Sequence, residues 1–193
     1  MPTTPAASSA RSPRRDAVRN DALVLAAARA IFSEQGTGAS MESIAARAGL
    51  GVGTIYRRFA GKDTLLDAIS RLLVEELDDA AARALENPDP AAALEEFLGY
   101  VGEFNAEKHR YAAALVDRIP GGDVAARTSD KVRELTARAV AAGSLAPNVT
   151  AEDIKTLIVA LRGIITDPAG ESSRQWQRFL HIHLNGLSVH ATL

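Results

Sequence analysis

Thr54, Arg57 and Arg58 fall on one side of a short segment whose other side carries Ile55 and Phe59, one helical turn apart. The spacing predicts a helix from about Val52 to Phe59, small at its start (Val52, Gly53) and basic on its outer face. Its chemistry is recognition rather than bond making. A guanidinium can span the O6/N7 edge of guanine with two parallel hydrogen bonds, and a valine methyl can pack on a thymine methyl. Arg57 suits the first contact and Val52 the second, with Gly53 and Thr54 beside them at the end of the helix that reaches base edges. Catalytic constellations are missing: the chain has no GxSxG, no P-loop and no HExxH. The neighbouring carboxylates Asp78/Asp79 and Glu95/Glu96 would point about 100° apart on a helix and read as surface charge. His181 and His183 stand at i, i+2, not the i, i+4 spacing that brings two imidazoles to one metal, and there is no Cys. No enzyme, metal or cofactor is expected.

The elements that must position these residues lie on either side. Ile44, Ala45 and Ala48 form the apolar face of a preceding helix, Ser40 is placed to cap its start, and Gly49 to end it in the left-handed region. Leu50 and Gly51 make the turn, which gives helix, turn, helix. Upstream, Val24, Ala27, Ala28, Ile31 and Phe32 share one face of a helix over about 14–35 that Gly36 stops, with Arg19 and Arg29 expected on its solvated side. Downstream, GKDT opens a fourth helix with Leu65, Leu66, Ile69, Leu72, Leu73 and Leu77 facing inward. The free N–H groups of its first turn suit a phosphate, and Lys62 adds a charge there. Ser40 can add a phosphate contact to its capping role. An ordinary helical hairpin would share these features.

The run AGLGVGTIYRRFAGKDTLL resembles the signature of the TetR/AcrR family of bacterial repressors: Gly-Thr-hydrophobe-Tyr, then Phe, then Lys opening the next helix. The likeness extends upstream through AAARAIFSEQG. It implies that Tyr56 and Lys62 contact phosphates and that the first helix braces the helix-turn-helix. It also implies a homodimer through a four-helix bundle of the last two helices, and release from a palindromic operator when a small organic effector enters the C-terminal domain and moves the fourth helix. Two positions depart from the pattern: Gly51 stands where a capping Ser or Thr is common, and Val52 where a Lys is common.

Charge agrees once it is divided. Residues 1–62 carry a net +5 and the remainder −7, within a total of −2. A basic reader can approach phosphates while an acidic remainder resists non-specific coating of DNA. We therefore expect a disordered basic tail over 1–13, a DNA-binding domain over 14–75 and an effector-binding and dimerisation domain over 76–193. The tail closes with Arg11, Arg14 and Arg15, which either follow a minor groove or stay solvated. The fold class is all-α with about nine helices: a fifth begins at Pro90 behind Asp89, a sixth covers about 107–117, a seventh 124–142, an eighth follows Thr150 and a ninth follows Ser172. Aromatic residues concentrate in the C-terminal part, where Phe104, Tyr111, Arg118, Trp176, Phe179 and His183 are candidate effector contacts. Aromatics at helical spacing are equally the material of a core, and His183 fits a core or dimer interface as well. A helical adaptor or ligand-binding protein with degenerate DNA binding is the alternative function. No apolar stretch approaches membrane-spanning length, and a cytoplasmic protein is expected.

Overall fold

The computed structural model describes residues 13–116, 118–119, 121–165 and 172–188. Among them are eight helices and no strand: α1 (Pro13–Gln35), α2 (Met41–Ala48), α3 (Val52–Arg58), α4 (Lys62–Leu85), α5 (Pro90–Val116), α6 (Asp123–Ala141), α7 (Ala151–Ile164) and α8 (Ser172–Gly186). The basic tail lies outside the described residues except for Pro13, which opens α1.

Local signals set most boundaries. Asp89 accepts from the N–H groups of Ala91 (2.9 Å) and Ala92 (3.3 Å), and Pro90 takes the first helical position. Thr150 caps α7 in a reciprocal box, its N–H donating to Asp153 Oδ2 at 2.8 Å while Asp153 N–H donates back to Thr150 Oγ1 at 3.4 Å. One expectation changes: the fifth and sixth helices are a single α5 of 27 residues. No Gly or Pro separates Phe104 from Glu107, and Asn105 stays within the helix by donating from Nδ2 to Val101 O at 2.8 Å.

The helices enclose two apolar cores. The first joins α1, α2, α3 and the first half of α4 to Phe104, Tyr111 and Leu115 of α5. The second joins the end of α4 (Ala80, Ala81, Ala84) to the first half of α5 and to α6, α7 and α8. Leu77 and Tyr100 pack against both. Polar links reinforce the seams. Arg29, expected on a solvated face, is half-buried and forms a two-pronged pair with Glu76 of α4, one arm at 3.0 Å. Burial pulls its guanidinium down, and the bonds and charge of Glu76 more than offset that. Arg138 of α6 donates to the carbonyls of Leu85 (2.7 Å) and Asn87 (2.8 Å), closing the end of α4. Where α5 meets α8, Gly102 lies under the buried indole of Trp176: a Cβ on Gly102 would stand 2.2 Å from Cζ3.

Asp78, buried at the contact of α4 with α6, accepts from Lys131 Nζ (2.5 Å) and Thr128 Oγ1 (3.2 Å), with Arg127 Nε at 3.8 Å. Burial pushes its carboxyl up, but Lys131, Thr128 and Arg127 together outweigh burial and hold it below its ordinary value. A depressed folded pKa stabilises the fold above the unfolded pKa of about 4, and that contribution is lost as pH falls through the folded value. Asp78→Asn should therefore lower the urea midpoint at pH 7, and the gap to the parent should narrow from about pH 4 downwards. A gap that stays constant with pH would assign the loss to packing alone.

Candidate nucleic-acid interface and effector cavity

The helix-turn-helix is held from three sides. Ser40 Oγ accepts the Ser43 N–H at 3.1 Å, which starts α2. Gly49 ends it at φ 68°, while the N–H groups of Gly49 and Leu50 return to Ala46 O (3.2 Å) and Ala45 O (3.1 Å). A side chain at Gly49 would meet the steric cost of the left-handed region, so the turn itself selects glycine. Inside, Ile55 and Phe59 fasten α3 to the first core. On the flank, Arg58 grips Asp21 of α1, with Nε at 2.7 Å and Nη2 at 2.5 Å. Arg58 was expected to face outward with Arg57; although exposed, it is committed to bracing α3 against α1.

The free face of α3 then consists of Val52, Gly53, Tyr56 and Arg57, all exposed, with Thr54 at its edge. Arg57 Nη2 donates to Thr54 Oγ1 at 3.1 Å, which holds the guanidinium along the helix surface. Gly51 caps α3 with no side-chain bond, as its lack of a hydroxyl requires. Lys62, at the first position of α4, donates from Nζ to Thr37 O at 3.0 Å and so ties that helix start to the loop after α1. An ammonium has three donors, which leaves capacity for a phosphate. Thr64 closes the same turn, Oγ1 accepting from Gly61 N–H (3.2 Å) and donating to Gly61 O (2.8 Å).

A cavity of about 280 Å³ opens in the C-terminal half, between α4, α5, α6 and α7. Leu73, Val74 and Leu77 of α4 lie on one wall and Phe97, Val101, Phe104 and Asn105 of α5 on another, with Thr128, Ser129 and Val132 of α6 and Lys155, Ile158 and Arg162 of α7 among the rest of the lining. Of the six sequence candidates only Phe104 lines it. Tyr111 packs on Phe32 in the first core, ring centroids 5.9 Å apart. Its hydroxyl is pushed up by burial against the pull of Arg29 and Ser33. Arg118, just beyond α5, donates to Asp67 Oδ1 (2.8 Å) and Asp63 Oδ1 (2.6 Å), and its carbonyl accepts from Ser70 Oγ at 3.0 Å. The bond to Asp67 foremost, then that to Asp63, with the charge of both carboxylates, raise its pKa. Trp176 fills the gap over Gly102. Phe179 and His183 stack at 3.7 Å, His183 Nδ1 donating to Phe179 O (2.9 Å), and both border an open cleft between α7 and α8. His183 is exposed in this chain rather than enclosed in an apolar stripe.

Sequence reasoning missed Asn105, Lys155 and Arg162. Each is a polar residue on or beside a helix face that is otherwise apolar, and that interruption is the signal available without a structure. No group of three or more His, Cys, Asp or Glu able to hold a metal occurs among the described residues, and none of their helices is long and apolar enough to cross a membrane.

Known proteins give this geometry its context. The sequence profile described as bacterial regulatory proteins, tetR family, matches residues 24–69, the span from α1 into α4. A TetR transcriptional regulator from Streptomyces coelicolor is 31% identical, with 87% of this chain and 98% of that one covered and a TM-score of 0.65. A TetR transcription regulatory protein from Mycobacterium vanbaalenii is 30% identical over 92% of this chain and 100% of that one, also at 0.65. A TetR family transcriptional regulator from Thermus thermophilus shares the fold at 24% identity and a TM-score of 0.61, covering 86% of this chain and 98% of its own. No curated protein sequence matches. With a profile match across the helix-turn-helix and relatives similar over nearly their whole length, the chain belongs to the TetR family of DNA-binding transcriptional regulators.

Proposed function

We propose that this regulator is a cytoplasmic homodimeric repressor that reads a palindromic operator through α3 and leaves it when a small organic ligand occupies the C-terminal cavity. The observation that carries the reading is the placement of α4. This helix begins at Lys62, next to the α3 reading face, and contributes Leu73, Val74 and Leu77 to the cavity wall. A ligand that shifts α4 thereby shifts the start of the same helix at the DNA side. Dimerisation is supported by the outer face of α7 and α8, where Val159 is 61% and Ile182 52% exposed beside the cleft of Leu157, Phe179 and Leu187. Apolar side chains so placed favour burial against a second copy. One short helix reads few base pairs, and two half-sites about 34–36 Å apart multiply the specificity.

Selection of bound sequences from a random DNA pool at two salt concentrations tests the reading. Enrichment of a palindrome whose binding weakens with salt supports it; no enriched sequence overturns it. On the selected site, Lys62→Ala should weaken binding to all sequences and flatten the dependence of log K on log salt by about one unit. Weaker binding with an unchanged slope would confine Lys62 to its bond with Thr37.

A further inference from the structure

We infer that the cavity takes an amphipathic organic anion, a medium-chain or aryl carboxylate of roughly ten non-hydrogen atoms, whose carboxylate sits at Lys155 and Arg162. For the cavity's role in releasing DNA this rests on the reading above; for its occupant it does not.

The size follows from volume. At about 30 Å³ for a water-sized group, 280 Å³ holds on the order of nine such groups. The charge follows from α7. Lys155, Ile158 and Arg162 stand at i, i+3 and i+7 and so share one face, beside the stripe of Ile154, Leu157 and Leu161 that fills the second core. That face places two cationic residues on the lining of a chamber whose other walls are aliphatic and aromatic, with Asn105, Thr128 and Ser129 as neutral polar groups. No Asp or Glu lines the cavity among the described residues. An amine entering this chamber would lose water and find no carboxylate on the lining among the described residues, whereas a carboxylate can exchange water for charge-assisted hydrogen bonds to Lys155 and Arg162.

Both cations can serve. Lys155 pairs with Glu152 at 3.1 Å, but nearly half of its side chain is exposed, which places it at the mouth in a pair of little net strength. Arg162 is half-buried and has five N–H donors to divide between its contacts within the chain and an incoming carboxylate.

Octanoate, octylamine and octanol separate the alternatives by charge at constant tail. Calorimetric titration of the full chain should find octanoate bound at least tenfold more tightly than octanol, and octylamine not bound. Lys155→Gln should cut the preference for octanoate over octanol severalfold and leave octanol unchanged, and Arg162→Gln should abolish the preference. If Arg162→Gln does not fold, Lys155→Gln at the mouth carries the test. Equal binding of octanoate and octanol, preference for the amine, or binding of none of the three would overturn the inference. Octanoate that binds with this preference but leaves the chain on its selected operator upholds the anion site and removes the release mechanism. Release by octanol or octylamine instead upholds the mechanism and overturns the anion.

Discussion

Gly102→Ala should destabilise the fold by about 2–4 kcal/mol, a fall in melting temperature of about 5–15 °C for a chain of this length. The added Cβ would stand 2.2 Å from Cζ3 and 2.4 Å from Cε3 of Trp176, inside any tolerated contact. Two responses are open. The indole can leave its site, forfeiting the burial of a large ring, or α5 and α8 can move apart and loosen the second core around Leu98 and Leu180. Both are costly because the indole is almost fully buried where it stands, 4% exposed. Combining Gly102→Ala with Trp176→Leu should recover part of the loss, since the smaller side chain vacates the space the methyl needs. The double variant is then more stable than the two single losses predict. A melting temperature unchanged by Gly102→Ala would mean that α5 and α8 lie further apart than described.

Arg57→Ala should weaken binding to the selected operator by about 1–3 kcal/mol, about 5- to 150-fold, and relax discrimination at one base pair of each half-site. Random DNA should lose far less, because a base-edge contact carries sequence information that a phosphate contact lacks. Thr54→Val should give a smaller loss of the same kind, since Thr54 Oγ1 holds the guanidinium in place before DNA arrives. Arg58→Ala supplies the contrast: its two-pronged bond to Asp21 braces α3, so its removal should weaken specific and random binding together. Equal losses on both kinds of DNA for Arg57→Ala would remove Arg57 from base reading.

What could be read in the sequence was what is settled nearby along the chain. Ser40 with Ser43, Asp89 with Ala91, Thr150 with Asp153, and Gly49 with Ala46 all close within a few residues, so caps and helix starts were legible. The partners of Arg58 and Arg29 were not, because Asp21 and Glu76 lie 37 and 47 residues away and helical periodicity gives a face without saying what it meets. The candidate effector contacts failed to converge for a related reason. Large rings such as Tyr111 and Trp176 go where apolar area can be buried completely, which makes them filler. The space left over lies where four helices diverge, a property of their packing that no single helix records. The junction inside α5 shows the converse, since a change in composition near Asn105 without Gly or Pro does not end a helix.

That α4 and α5 each serve both cores also governs how the molecule comes apart. A cut at residue 75, the expected end of the DNA-binding domain, would strip Phe104, Tyr111 and Leu115 from the first core and leave Phe32 facing water in place of the Tyr111 ring. The DNA-reading half should therefore not transplant when cut there, since its core draws on Phe104, Tyr111 and Leu115 of α5, well beyond that point. Melting one core withdraws a wall of the other through Leu77 and Tyr100, which favours a single concerted transition over two.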